Sequence, residues 1–133
     1  MNILGIDRWT KRIGLAIMDA QHPIPLPLGY VTNTPDLYPN LASLVMEKSV
    51  STIIVGYPER NKAMTTQIDK FIINLGYSVD SSIPIIRVDE HFSSVQASDL
   101  TTITTGSYRK DISQDTVSAM VILERWQQLS VQS

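Results

Sequence analysis

Cysteine is absent from the 133-residue chain. That absence excludes a disulfide framework, a thiolate nucleophile, a Cys-ligated zinc and an iron–sulfur cluster. Histidine is scarce, and His22 and His91 are too few for a His-rich metal site. No apolar run approaches the roughly 20 residues that cross a bilayer. The N-terminus carries no basic region ahead of an apolar core, so no signal peptide is expected and the default is a soluble cytoplasmic protein. Charge is sparse too: 18% of residues are charged and the net charge is −2, so nothing pulls the whole molecule towards nucleic acid. A hydrophobic content of 43% is enough for a core, and the length is that of one domain spanning residues 1–133.

What is present is patterned. Met1 to Ile6 is an apolar run ending at Asp7, and Gly5 within it allows close backbone approach. Residues 8–11 are expected to turn the chain into a second strand, Arg12 to Asp19. Residues 22–31 hold three prolines and read as an edge strand. Leu37, Leu41, Leu44 and Val45 recur at helical spacing behind Pro35. Ser51 to Val55 reads as a strand broken by Gly56-Tyr57-Pro58. Residues 62–76 read as a helix with Ile68, Phe71, Ile72 and Leu75 on one face and Gly76 as its stop. Ile83 to Val88 is another strand, 93–104 a weak helix, 106–113 a polar loop and 114–129 the clearest helix. Three strands in a meander followed by alternating helices and strands predict an α/β fold. Its sheet is mixed and five-stranded, antiparallel first and parallel after, with helices on both faces.

Two carboxylates follow strands that would run parallel: Asp7 after the first and Glu90, beside Asp89, after the last. Both then fall at the carboxyl edge of the sheet, where open α/β sheets bind ligands. Asp115 begins the final helix, and Ser118, Ala119, Ile122, Leu123 and Trp126 continue its stripe at helical spacing. Small residues near its start would let the helix approach the sheet closely. Asp7, Glu90 and Asp115 meeting at one edge would repel each other unless a divalent cation held them. Two such ions, magnesium or manganese, about 3.5–4 Å apart can activate water and stabilise the leaving oxygen of a phosphodiester. Eight of the eleven basic residues, Arg8, Lys11, Arg12, Arg60, Lys62, Arg87, Arg109 and Lys110, lie in or beside these segments and are candidates for phosphate contact. Asp19 ends the second strand and is expected away from the carboxylate edge. Tyr57 is expected to pack locally, although a turn tyrosine can also stack on a base.

These segments resemble one family. GIDRWTKRIGLAIMD is similar to the opening hairpin of the YqgF/RuvX family, which usually reads close to GIDxGTKRIGxAxxD. IIVGYP resembles its IIVGLP strand and turn, VDEHFSS its VDERxSS segment, and DTVSAMVILERW its DxxAAxxIL helix. The matches come in the family's order and span nearly the whole chain. The resemblance implies a ribonuclease H-like fold and a metal-dependent nuclease, and its catalytic acids fall on Asp7, Glu90 and Asp115. Bacterial members are described both as candidate Holliday junction resolvases and as nucleases that mature the 5′ end of 16S rRNA. Lys11 and Arg12 match the hairpin's KR pair, implying substrate contact.

The chain departs from the pattern at three places. Arg8-Trp9 stands where an aromatic and glycine are usual, His91 stands where arginine follows VDE, and Glu59 to Lys62 replaces a longer loop. A titratable His91 in place of a fixed cation would make that substrate contact depend on pH. The leading expectation is a nuclease acting on structured RNA, with pre-16S rRNA favoured. A resolvase of branched DNA, which would be a homodimer, is the alternative. A non-catalytic RNA-binding assembly factor is a third. A nucleotide-binding fragment of the sugar-kinase and actin type is disfavoured, because the chain is too short for the second domain that closes over the nucleotide.

Overall fold

The computed structural model describes residues 1–8, 11–89 and 114–132, with side chains of the final segment described over 116–129. Within them the order is β1 (Asn2–Arg8), β2 (Arg12–Asp19), β3 (Leu26–Thr32), α1 (Leu37–Glu47), β4 (Val50–Tyr57), α2 (Lys62–Ser78), β5 (Ile85–Asp89) and α3 (Gln114–Gln132). The strands form one sheet ordered β3-β2-β1-β4-β5. β1, β2 and β3 pair antiparallel, and β4 and β5 run parallel to β1. This is the mixed sheet that the order of patterns predicts. Pro27 sits on β3, at the sheet's edge, where a missing N–H costs least.

Side-chain alternation sorts the apolar residues onto two faces. Leu4, Ile6, Ile13, Leu15, Ile53 and Val55 pack with Leu37, Leu41 and Val45 of α1 and Ile68, Phe71 and Leu75 of α2. Ile3, Ala16, Met18, Ile54 and Val88 pack on the other face with Ala119, Met120, Ile122 and Leu123 of α3. Strands covered on both faces need continuous apolar runs, which is why ILGI and TIIV do not alternate with polar residues. Burying each large side chain contributes about 1.5–3 kcal/mol.

Four local expectations need correction. β1 continues through Arg8, because Arg8 pairs with Ile13 in the hairpin ladder. β4 runs through Gly56 and Tyr57, since both pair with β5, and only Pro58, which lacks an N–H, stops it. Gly76 does not stop α2: the helix continues to Ser78 and is capped at Val79, whose N–H donates to the Leu75 carbonyl. A Cβ at Gly76 would make only ordinary contact, at 3.9 Å from Ile85 Cδ1. Leu44 is half-buried, so the buried stripe of α1 is Leu37, Leu41 and Val45. The expected helix at 93–104 and loop at 106–113 lie outside the described residues.

Candidate active site

The hairpin carries the first acid to the middle of the sheet. β1 is the central strand, and Asp7 lies near its carboxyl end. Asp7 is 0% exposed and is the one buried ionisable side chain among the described residues. A carboxylate taken out of water needs compensation from opposite charge or from hydrogen bonds.

Register fixes its neighbours. Asp7 pairs with Gly14 of β2. On the other side Ile6 pairs with Val55, so the next residue of β4, Gly56, stands beside Asp7. The two positions directly across from Asp7 are therefore both glycines, which carry no side chain. Sequence reasoning passed over Gly14 and Gly56 in this role. The available signal was a glycine inside each apolar strand run, which marks close approach.

The same face carries α3. Ile3 packs in the α3 cluster, and a Cβ on Gly5 would lie 2.6 Å from Leu123 Cγ and 2.9 Å from the Ala119 carbonyl. Asp7 follows in that alternation, so it belongs to the α3 face. Thr116 Oγ1 donates to the Gly29 carbonyl at 2.7 Å. Gly29 pairs with Leu15, which pairs with Ile6, so α3 begins level with the carboxyl end of β1. Position 115 is one turn before Ala119 on the stripe that meets Gly5. The backbone thus brings positions 7 and 115 to one edge and one face. Burial on α3 is wider than the expected stripe: every residue from Thr116 to Leu123 is buried. Those residues are mostly apolar or small all round the helix, as burial on all sides requires. Trp126 is only half-buried, at the rim of the α3 cluster.

Removing the Thr116 hydroxyl should loosen this end of the helix. Thr116→Val keeps the shape and leaves the Gly29 carbonyl without that donor, a loss of about 1–2 kcal/mol. Chemical denaturation should show the midpoint fall with an unchanged slope.

The basic residues divide. Arg12 opens β2 on the same face as Gly14 and Asp7; it is exposed, with its guanidinium 5.0 Å from the Tyr30 ring centroid. Lys11 is exposed, and its carbonyl accepts the Asn33 N–H, which ties the hairpin to the end of β3. Arg8 leaves on the opposite face from Asp7 and lies over Phe71 of α2. Arg60 on the connection from β4 to α2 and Lys62 at the start of α2 are exposed. Arg87 binds Asp69 and covers Tyr57. Tyr57 also donates to Asp69, so its local packing is as expected. Asp19 pairs with Asn2 at the far end of the hairpin, away from Asp7. Glu90, His91, Arg109 and Lys110 lie outside the described residues, as does Trp9. Among the described residues no three His, Cys, Asp or Glu side chains group as a metal site. The hard oxygen of buried Asp7 suits a divalent cation, and its glycine neighbours set no side chain against it.

Comparison with known proteins adds to this geometry. Residues 1–128 match the family model described as RuvX: Holliday junction resolvase. A protein of Sulfurihydrogenibium sp., named a candidate pre-16S rRNA nuclease, is 32% identical across 93% of this chain and 88% of its own. One of the same name from Maridesulfovibrio salexigens is 32% identical across 95% of this chain and 97% of its own. Among solved structures, Thermus thermophilus RuvC in complex with a Holliday junction substrate superposes with a TM-score of 0.71 at 11% identity, covering 100% of this chain and 96% of that one. The fowlpox virus resolvase in complex with Holliday junction DNA gives 0.62 at 16% identity, with both chains covered completely. These structural likenesses identify the fold as that of the ribonuclease H-like resolvases.

Proposed function

We propose, from the premise that this chain belongs to the RuvX family, that it is a metal-dependent nuclease maturing the 5′ end of pre-16S rRNA in the cytoplasm. The observation that carries the reading is Asp7: a fully buried carboxylate at the end of the central strand, flanked by Gly14 and Gly56, on the face covered by α3, whose first turn holds position 115. The names of the two bacterial relatives favour pre-16S rRNA as substrate.

Asp7, Glu90 and Asp115 are the proposed ligands of two divalent ions, magnesium or manganese. Such ions supply a nucleophilic water at neutral pH and charge neutralisation at the phosphoryl oxygens. The chain's own residues do the rest. Asp7 offers a rigid oxygen, held in place by the hairpin ladder on one side and β4 on the other. Arg12, on the same face and at the same edge, is placed to hold a phosphate of the substrate, and exposed Lys11 beside it adds a second cation. Arg109, Lys110 and His91 are proposed as further substrate contacts. Hydrolysis forms a water-oxygen–phosphorus bond and breaks the bond to the 3′ oxygen, leaving a 5′-phosphate and a 3′-hydroxyl.

A second reading, a resolvase of branched DNA, is favoured by the family's description and by the two junction-bound structural neighbours. One gel separates them. The protein is incubated with a labelled pre-16S leader RNA and with a four-way DNA junction, in magnesium, manganese or EDTA. Metal-dependent cutting of the RNA is expected. Paired nicks in the junction with intact RNA would transfer the assignment to the resolvase, and a dimer by sedimentation should accompany them. RNA retarded in EDTA but never cut would leave a binding factor.

A further inference from the structure

Asp7 and Arg8 are consecutive in β1, so their side chains leave on opposite faces of the sheet. Asp7 is on the α3 face. Arg8 is on the face of α1 and α2, level with Tyr57 of the neighbouring strand by continuation of the Ile6–Val55 register. Its surroundings are unusual for a half-buried cation. The guanidinium carbon lies 5.6 Å from the Phe71 ring centroid. Among the described residues Nη1 reaches one acceptor, the neutral Gln67 Oε1, at 3.5 Å. Nε is buried and has no hydrogen-bond partner among the described residues.

The acid that α2 offers to this face is already used. Asp69 Oδ1 accepts from Arg87 Nε and Nη2 at 3.3 and 3.2 Å, and its Oδ2 accepts from the Tyr57 hydroxyl at 3.1 Å. Asp69 is thus occupied by Arg87 and Tyr57, and Asp89 of β5, level with Tyr57, is the other acid at this edge of the face. The first turns of α1 and α2 contain no acidic residue. Exposed Arg60, on the β4–α2 connection, and exposed Lys62, which opens α2, stand near one acid of that connection, Glu59. A guanidinium with a fixed stem, partial desolvation and idle donors is suited to a phosphate, which supplies charged acceptors in the fork geometry that arginine matches.

We propose that Arg8 forms a second phosphate subsite, on the α1/α2 face of the sheet edge. It holds a phosphodiester of the substrate strand beside the one presented to Asp7. The strand then straddles the end of β1, with Arg12 on one face and Arg8 on the other. The subsite rests on the nuclease reading for its ligand class, nucleic acid, and reads backbone phosphate rather than sequence.

The test is equilibrium binding of the full chain to a fluorescent hairpin RNA in EDTA, repeated over a series of salt concentrations. Arg8→Gln should weaken binding about tenfold and flatten the salt dependence by about one phosphate contact. Arg8→Lys, which keeps the charge, should retain the parental salt dependence. Arg8→Met preserves the stem over Phe71 and replaces Arg8→Gln if the amide variant melts early. Affinity within twofold of the parent, at parental salt dependence, would overturn the subsite. A four-way DNA junction serves as the second probe. If only the junction shows the Arg8-dependent salt effect, the subsite stands and the RNA assignment falls. If cleavage of RNA depends on Asp7 while Arg8→Gln binds like the parent, the subsite falls and the nuclease stands.

Discussion

Asp7→Asn should lower kcat/KM by at least about a thousandfold while leaving the protein folded. The two halves of this result have separate causes. Activity falls because an amide is a poor ligand for a hard divalent cation, and Asp7 is the buried acid at the centre of the sheet edge. The fold should persist, because asparagine keeps the shape of aspartate and removes only the charge of a side chain that is 0% exposed. In EDTA the variant should therefore still unfold in a single cooperative transition. Magnesium or manganese should raise the parental melting temperature by mass action and leave that of Asp7→Asn unmoved. Calorimetry with and without metal measures this without any substrate. A variant that melts well below the parent in EDTA would make Asp7 a structural acid; a variant that cleaves like the parent would remove it from the site.

Gly5→Ala should cost about 2 kcal/mol, a melting temperature lower by roughly 5–10 °C. The added carbon would lie 2.6 Å from Leu123 Cγ and 2.9 Å from the Ala119 carbonyl, distances at which something must move. Leu123 can swing, but the carbonyl belongs to the backbone of α3, so the helix has to lift. Lifting it shifts position 115 relative to Asp7. Cleavage should then fall by as much as about a hundredfold even where the variant is fully folded, since small displacements of reacting groups are costly. Combining Gly5→Ala with Leu123→Ala should cost less than the two changes summed, because the second removes the nearer clash and leaves only the carbonyl. Denaturation of the three variants measures the coupling, and strictly additive losses would mean that α3 does not rest on Gly5.

Much of this architecture is legible in the chain. The hairpin, the proline-bearing edge strand and the parallel crossovers all follow from pattern, because each rests on a local rule: two apolar runs joined by a short polar turn, a missing N–H, a helix between parallel strands. The places where pattern misleads are those where a partner outweighs a local signal. Gly56 and Tyr57 read as a break, but pairing with β5 keeps them in strand β4. Gly76 reads as a stop, but nothing at its position demands a left-handed backbone and α2 runs past it. Arg8 reads as part of a turn, but the ladder to Ile13 makes it the end of a strand.

The site divides in the same way. The sequence by itself determines the chemistry on offer: no thiolate, few imidazoles, and carboxylates that follow strands or open the last helix, with arginines and lysines nearby. It determines the family as well, through motifs spread along the chain. The tertiary structure decides which groups share a face. Strand pairing puts Gly14 and Gly56 on either side of Asp7, and the close seating of α3 on Gly5 brings the start of that helix to the same edge. It also separates Asp7 from Arg8, adjacent in the chain and opposite in space. The physical reason is that a residue's type fixes what it can bind, whereas the direction of its side chain is set by register, and register is decided by the strands and helix packed around it.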